Sequence, residues 1–195
     1  MKELTLCKGD EAGSLKDTVG LISPAGSTRA DHGLELADKQ FSSSSGRADA
    51  KKVVVFFTDG SPTSSNVFQA SVANSAINSA KSLKANGADI YAIGIFDGAD
   101  PSADPTADGT SKENKFMHAE SSNYPSASSS ITHEYFYEKW VIDYGARAEN
   151  SDYYKSATNA DELKKIFEEI SGSIIQTGYP VSYTHLRAHE TLANL

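Results

Sequence analysis

Residues Lys51–Pro62 read KKVVVFFTDGSP: two lysines, five consecutive apolar residues, then Thr58, Asp59 and Gly60. The run Val53–Phe57 is β-branched and aromatic and shows no alternation. That pattern predicts a parallel strand buried on both faces, which belongs in the middle of its sheet. It stops on an Asp-Gly pair, an ordinary turn signal. The same aspartate stands at the carboxyl end of the strand, where open α/β sheets place their ligands.

The flanking sequence supplies the remaining layers. After a loop over Ser61–Asn66, the apolar residues Phe68, Val72, Ala76, Ala80 and Leu83 recur at helical spacing. Asn86-Gly87 supplies a left-handed stop. A second buried strand, Ile90–Phe96, follows at once. Asp97–Asn114 reads as an acidic loop, Lys115–Ser121 as a helical turn, and Tyr153–Ser156 as a short third strand. Thr158 or Asn159 caps a last helix whose core face is Leu163, Ile166, Phe167, Ile170 and Ile174. No assignment follows from the aromatic-rich stretch Tyr124–Asn150. Upstream, Ser14 with Asp17 and Thr28 with Asp31 have the form of capping boxes. The first precedes Leu15, Val19 and Ile22, and the second precedes the stripe Ala30, Leu34, Ala37 and Phe41, which ends at the serine run Ser42–Ser45. Alternating strands and helices make this an α/β chain with a mainly parallel sheet.

A sheet with only three strands, entered through two helices, leaves a strand as apolar as Val53–Phe57 without its second neighbour. The segment ELTLC near the N-terminus is too short and too charged to replace several strands. The N-terminus therefore reads as truncated, and Val53–Phe57 is expected at or near an exposed sheet edge, prone to aggregation.

Composition narrows the function classes. The formal net charge is −8, and the 18 basic residues are scattered, which disfavours nucleic acid as a partner and suits a cation or a basic protein surface. No segment approaches the roughly 18 apolar residues of a membrane span. The single cysteine, Cys7, excludes an internal disulfide framework. Neither an export signal nor an anchor is legible in the chain.

With the elements placed, GSTRADHGLELA (Gly26–Ala37) followed by VVVFFTDGSP resembles the second half of a von Willebrand factor A domain. AKSLKANGADIYAIGI resembles the helix and strand that follow in that family, and YYKSATNADELKKIFEEI its last strand and closing helix. The resemblance covers about Ser14–Ile175, with an unmatched region near 126–144. In detail, RADHGLELA, FFTDGSP and RAENSDYYKSATNADEL are similar to domains of bacterial surface adhesins and pilus-tip proteins that stand beside collagen-binding B-type repeats. The implied organisation is an N-terminal remnant at 1–13, a partial domain at 14–176 with an insertion near 126–144, and a foreign tail at 177–195. VSYTHLRAHETLANL resembles translated adapter or vector sequence.

The resemblance implies a Rossmann-like sheet lacking its first strands. It also implies a divalent cation, Mg²⁺ or else Mn²⁺ or Ca²⁺, at the carboxyl ends of the strands. The family's metal-ion-dependent adhesion site uses an Asp-x-Ser-x-Ser loop, a threonine and an aspartate. Thr28 matches the threonine and Asp59 the aspartate, whereas no Asp-x-Ser-x-Ser occurs in the sequence. Mg²⁺ takes about six oxygens, one of which a partner's carboxylate can supply. The implied function is thus cation-dependent adhesion, without catalysis, to a host extracellular-matrix or pilus protein at the cell surface. With two of the side-chain ligands, cation binding by this chain is expected to be weak or absent.

Competing readings attach to the same residues. Thr28 alone is an adequate helix cap and Asp59-Gly60 an adequate turn. A doubly wound α/β hydrolase or phosphatase using Asp59 is the main alternative, but the position of a phosphatase nucleophile, two residues earlier, is Phe57, which cannot attack phosphorus. Asp97, Asp100, Asp104 and Asp108 lack the spacing of an EF-hand and read as a solvated loop. His185 and His189 have no glutamate between them in HExxH order and fall in the foreign-looking tail.

Overall fold

The computed structural model describes residues 10–21, 27–42, 50–64, 67–134 and 137–178. The elements in chain order are α1 (Asp10–Gly20), α2 (Ala30–Ser42), β1 (Lys52–Thr58), α3 (Ala70–Ala85), β2 (Ala88–Gly94), α4 (Lys112–Glu120), β3 (Ser128–Glu134), β4 (Tyr137–Asp143), β5 (Tyr154–Ser156) and α5 (Ala160–Gly178). The strands β1, β2 and β5 form a parallel sheet in that order, and β3–β4 is a separate antiparallel hairpin. Val54 lies beside Ile90 and Val55 beside Tyr91.

Strand alternation sorts the side chains into two cores. Even-numbered residues of β1 and β2, Val54, Phe56, Ile90 and Ala92, pack with α2, α3 and α4 through Leu34, Ile77, Leu83 and Phe116. Odd-numbered residues, Val55, Tyr91 and Ile93, pack with α5 through Ile166 and Ile170. The helices therefore cover both faces, as an all-parallel sheet requires.

β1 does not occupy the middle of the sheet. Among the described residues its only partner strand is β2, so there it lies at the edge. Other departures are local. α1 begins at Asp10 rather than at Ser14, whose carbonyl accepts the Thr18 hydroxyl at 2.7 Å from within the helix. α4 begins at Lys112, not Lys115, because Ser111 caps it by accepting the Asn114 N–H. Phe167 is 40% exposed, although its spacing places it on the core face of α5. It stacks edge-on against Phe57 of the open strand, with ring centroids 6.3 Å apart.

Elsewhere the local chemistry matches the pattern. α3 buries Val72, Ala76, Ala80 and Leu83 and ends at Asn86, with Gly87 at φ +82°. Asn159 starts α5, its Oδ1 accepting the Glu162 N–H at 2.9 Å. The Glu162 carboxylate in turn accepts the Thr158 N–H and hydroxyl, each at 2.8 Å. The stretch set apart as an insertion is occupied by the hairpin. It hangs on α3, where Asn78 exchanges hydrogen bonds with the Ser129 backbone, and Trp140 stacks on Phe68 with centroids 5.0 Å apart.

At the head of β2 the backbone is crowded. A Cβ on Gly94 would lie 2.9 Å from Phe96 Cε1, 3.0 Å from Ala99 Cβ and 3.3 Å from Tyr154 Oη. Gly94→Ala is expected to destabilise the fold by about 1–3 kcal/mol, the usual cost of overpacking. Urea unfolding of the variant against the parent measures it.

Candidate functional site

Two loops meet at the carboxyl end of β1. Thr58 closes its own turn, its hydroxyl donating to the Gly60 carbonyl at 2.9 Å and accepting the Gly60 N–H at 3.2 Å. That fixes Asp59 at the tip, with an exposed carboxylate that has no partner among the described residues. The segment before α2 lies against this turn. The Thr63 N–H donates to the Thr28 carbonyl at 3.0 Å, and the Thr28 hydroxyl oxygen lies 3.5 Å from where a Cβ on Gly60 would stand. Thr28, distant in sequence, thus lies against Gly60 and Thr63, on the turn that carries Asp59.

The capping box expected of Thr28 is not formed. Asp31 is instead gripped by Arg29, with Nε–Oδ1 and Nη2–Oδ2 distances of 2.9 and 2.7 Å. The guanidinium holds the Asp31 carboxyl below its usual range. The helix begins at Ala30, and the Thr28 hydroxyl makes no hydrogen bond among the described residues. The hydroxyl is thus not used as a helix cap and lies beside Gly60.

A cleft of about 590 Å³ opens on the other side of Asp59, lined also by Ser61, Asp97, Asp100, Glu113 and Asn114. Of its four carboxylates, those of Glu113 and Asp100 are engaged. Glu113 accepts the Ser61 hydroxyl at 2.5 Å, and Asp100 accepts both the N–H and the hydroxyl of Ser102, which lowers its pKa. Asp104 does the same with Thr106. These are local turns that tie the acidic loop to itself.

Among the described residues, no group of three or more His, Cys, Asp or Glu is arranged to hold a metal. Thr28 and Asp59 bring one hydroxyl and one carboxylate to the corner, against about six oxygens that Mg²⁺ demands. By themselves they do not make a complete cation site. His185 and His189 lie outside the described residues.

A buried polar cluster behind the sheet has no counterpart in the sequence reading. Glu120 is fully buried and neither carboxylate oxygen has a hydrogen-bond partner. Burial pushes its pKa well above the usual carboxylate range, opposed by the charge of Lys84. Lys84 does not contact it directly; its ammonium donates to the carbonyls of Ala119, Ser121 and Tyr124 at 2.7, 3.2 and 2.9 Å. Burial brings that ammonium down to about 8. His118, held edge-on between Tyr124 and Tyr154, is lowered to about 4, first by burial and then by Arg147. The signal for this cluster was present in MHAESSN, a polar run too short of apolar residues for its place in a core, but periodicity alone gives no reason to bury it.

Among the described residues no helix is long and apolar enough to cross a membrane. The sequence profile of the von Willebrand factor type A domain matches residues 5–133, a span that ends inside the hairpin and stops short of β5 and α5. No curated protein and no solved structure matches the chain. Domains of this kind serve protein binding and adhesion, generally without catalysis, and commonly use a divalent cation. The profile match, the parallel sheet clad by helices and the order of its motifs together place this chain in the von Willebrand factor type A domain family.

Proposed function

We propose that the chain is the carboxyl-terminal part of a cation-dependent adhesion domain from a bacterial surface or pilus protein, with Thr28 and Asp59 as its share of the metal ligands. One observation carries this reading: the Thr28 hydroxyl, released from capping, sits against the Asp59-Gly60 turn at the carboxyl edge of the sheet. Asp59 would give the cation a carboxylate and Thr28 a neutral oxygen. The remaining positions would be filled by groups outside this pair and by an acidic side chain of the bound protein, such as one from host extracellular matrix. A cation held this way supplies an electrophilic anchor for that carboxylate, and no covalent bond changes.

With two ligands the affinity is expected to be low, weaker than roughly 10⁻³ M, the weak end of extracellular cation sites. Titration of the labelled chain with Mn²⁺ should broaden the amide signals of Thr28, Asp59 and Gly60 before others, and Asp59→Ala should abolish the selectivity. Tight Mg²⁺ binding by calorimetry would contradict the expected weakness. Broadening centred elsewhere would overturn the assignment of these two residues.

A further inference from the structure

The face of the sheet under α5 is apolar along only part of its length. Ile93 and Ala157 pack against Ile166 and Ile170 in a core of their own. Toward the amino-terminal end of β5 the composition changes. Lys155 lies beside Ile93 in the sheet, so strand alternation brings Tyr91, Tyr153 and Lys155 to that same face. The helix meets them with Glu169 and Ser173 rather than with apolar residues, and these groups do not fill the space between them. A cleft of about 290 Å³ is left where a core would close.

The lining decides what class of ligand suits the cleft. The tyrosines are half-buried and stacked, with ring centroids 4.9 Å apart and planes inclined at 53°. The largely covered Lys155 ammonium lies 2.5 Å from an Asp152 oxygen and 3.5 Å from a Glu169 oxygen. Each carboxylate uses one oxygen in this way, and its other oxygen has no protein partner among the described residues. An anion would meet both carboxylates. A cation would have to displace the ammonium that already neutralises them. A neutral molecule rich in hydroxyls meets neither obstacle, because a hydroxyl can donate to the second carboxylate oxygen and accept from the remaining proton of the ammonium. The tyrosine rings add apolar surface for the C–H groups of a ring-shaped ligand. We propose that this cleft binds a single pyranose sugar unit, its hydroxyls on Asp152, Lys155 and Glu169 and one face on Tyr91 and Tyr153. A volume just under the roughly 300–1,000 Å³ of small-molecule sites limits it to about one ring. The cleft stands by the start of β5, whereas Asp59 follows the end of β1 in the same parallel sheet, so the two sites can be measured separately.

Nuclear magnetic resonance of the isotope-labelled whole chain, in EDTA to remove any cation effect at Asp59, tests this with the methyl glycosides of glucose, galactose, mannose and N-acetylglucosamine. At least one should give saturable shifts centred on Tyr91, Asp152, Tyr153, Lys155 and Glu169. The expected dissociation constant is of order 10⁻³ M, since one ring has few atoms to bind with. Sorbitol offers hydroxyls without a ring face and should give no saturable shift. Glu169→Ala, at an exposed position, should raise the dissociation constant about tenfold, the effect of losing a hydrogen bond to a charged group. Tyr91→Val should weaken binding at least as much, and thermal melting establishes whether each variant folds; if Tyr91→Val does not, Glu169→Ala decides alone. No response to any of the four glycosides, shifts centred elsewhere, an equal response to sorbitol, or an affinity indifferent to Glu169→Ala would each overturn the proposal. So would saturation of these residues by N-acetylarginine amide in place of the glycosides, which would show a pocket for a cation.

Discussion

Asn114→Ala is expected to cost about 3 kcal/mol of folding stability, from three hydrogen bonds at about 1 kcal/mol each. The Asn114 side chain, almost fully buried, joins three elements. Its Oδ1 accepts the Asp100 N–H at 2.9 Å and the Tyr154 hydroxyl at 2.6 Å, and its Nδ2 donates to the Gly98 carbonyl at 2.8 Å. The substitution removes all three and strands the Tyr154 hydroxyl in the core, where an unpaired donor pays its full desolvation cost. Because two of the bonds anchor the loop between β2 and α4, limited proteolysis within 97–111 should quicken in step with the loss measured by urea unfolding. Tyr154→Phe removes only the hydroxyl's bond to Asn114 and leaves the bonds to Asp100 and Gly98, so its cost should be smaller. Equal losses from the two variants, or an Ala variant as stable as the parent, would refute this role.

Glu120→Gln should act in the opposite direction, stabilising the fold by about 1–3 kcal/mol at pH 8, the usual cost of a buried group without partners, and by clearly less at pH 5. The sign follows from linkage. Glu120 has a folded pKa raised above its unfolded value by burial, so between those values the folded state holds the extra proton. Its contribution is complete below the unfolded pKa and is lost as pH climbs through the folded one. His118, lowered to about 4, has the reverse slope: its contribution is present above about 6.5 and is lost as pH falls toward 4. Both proteins contain His118, so the difference between parent and variant isolates Glu120. Lys84 needs a control, because the variant removes a charge that supports its ammonium, and Lys84→Met in both backgrounds supplies it. A Gln variant that is destabilised at pH 8, or a difference that does not vary with pH, would show that the carboxylate has a partner in solution.

The parts of this fold that were legible in the sequence are those where one physical pattern dominates. Val53–Phe57 and Ile90–Phe96 are continuous apolar runs, and α3 carries an unbroken helical stripe ending in Asn86-Gly87. The hairpin escaped because its strands are polar on the exposed side and residues such as Ser128–Ser130 carry no strand preference. Only the alternation of Trp140 and Ile142, which pack against the core, marks it. As for the candidate site, motif resemblance singles out Thr28 and Asp59, whereas the contact of Thr28 with the Gly60 turn depends on how the turn after β1 meets the segment before α2. That Asp31 would choose Arg29 over the helix start is a competition between a bidentate ion pair and a single cap bond, and spacing favours neither. The burial of the polar cluster at His118–Asn123 is not set by its local pattern for a related reason, since it is imposed by neighbours distant in sequence.

The placement of Asp59 has a thermodynamic consequence. It directly follows β1, whose far edge is unpaired among the described residues, and it is carried on the turn that Thr28 touches. Any chain that pairs with β1 therefore ends its run at the group a cation would need. A basic residue arriving there competes with the ion, and a neutral or acidic one does not. The two occupancies are then linked, and whatever factor a bound cation takes from strand pairing, the paired strand takes from cation affinity.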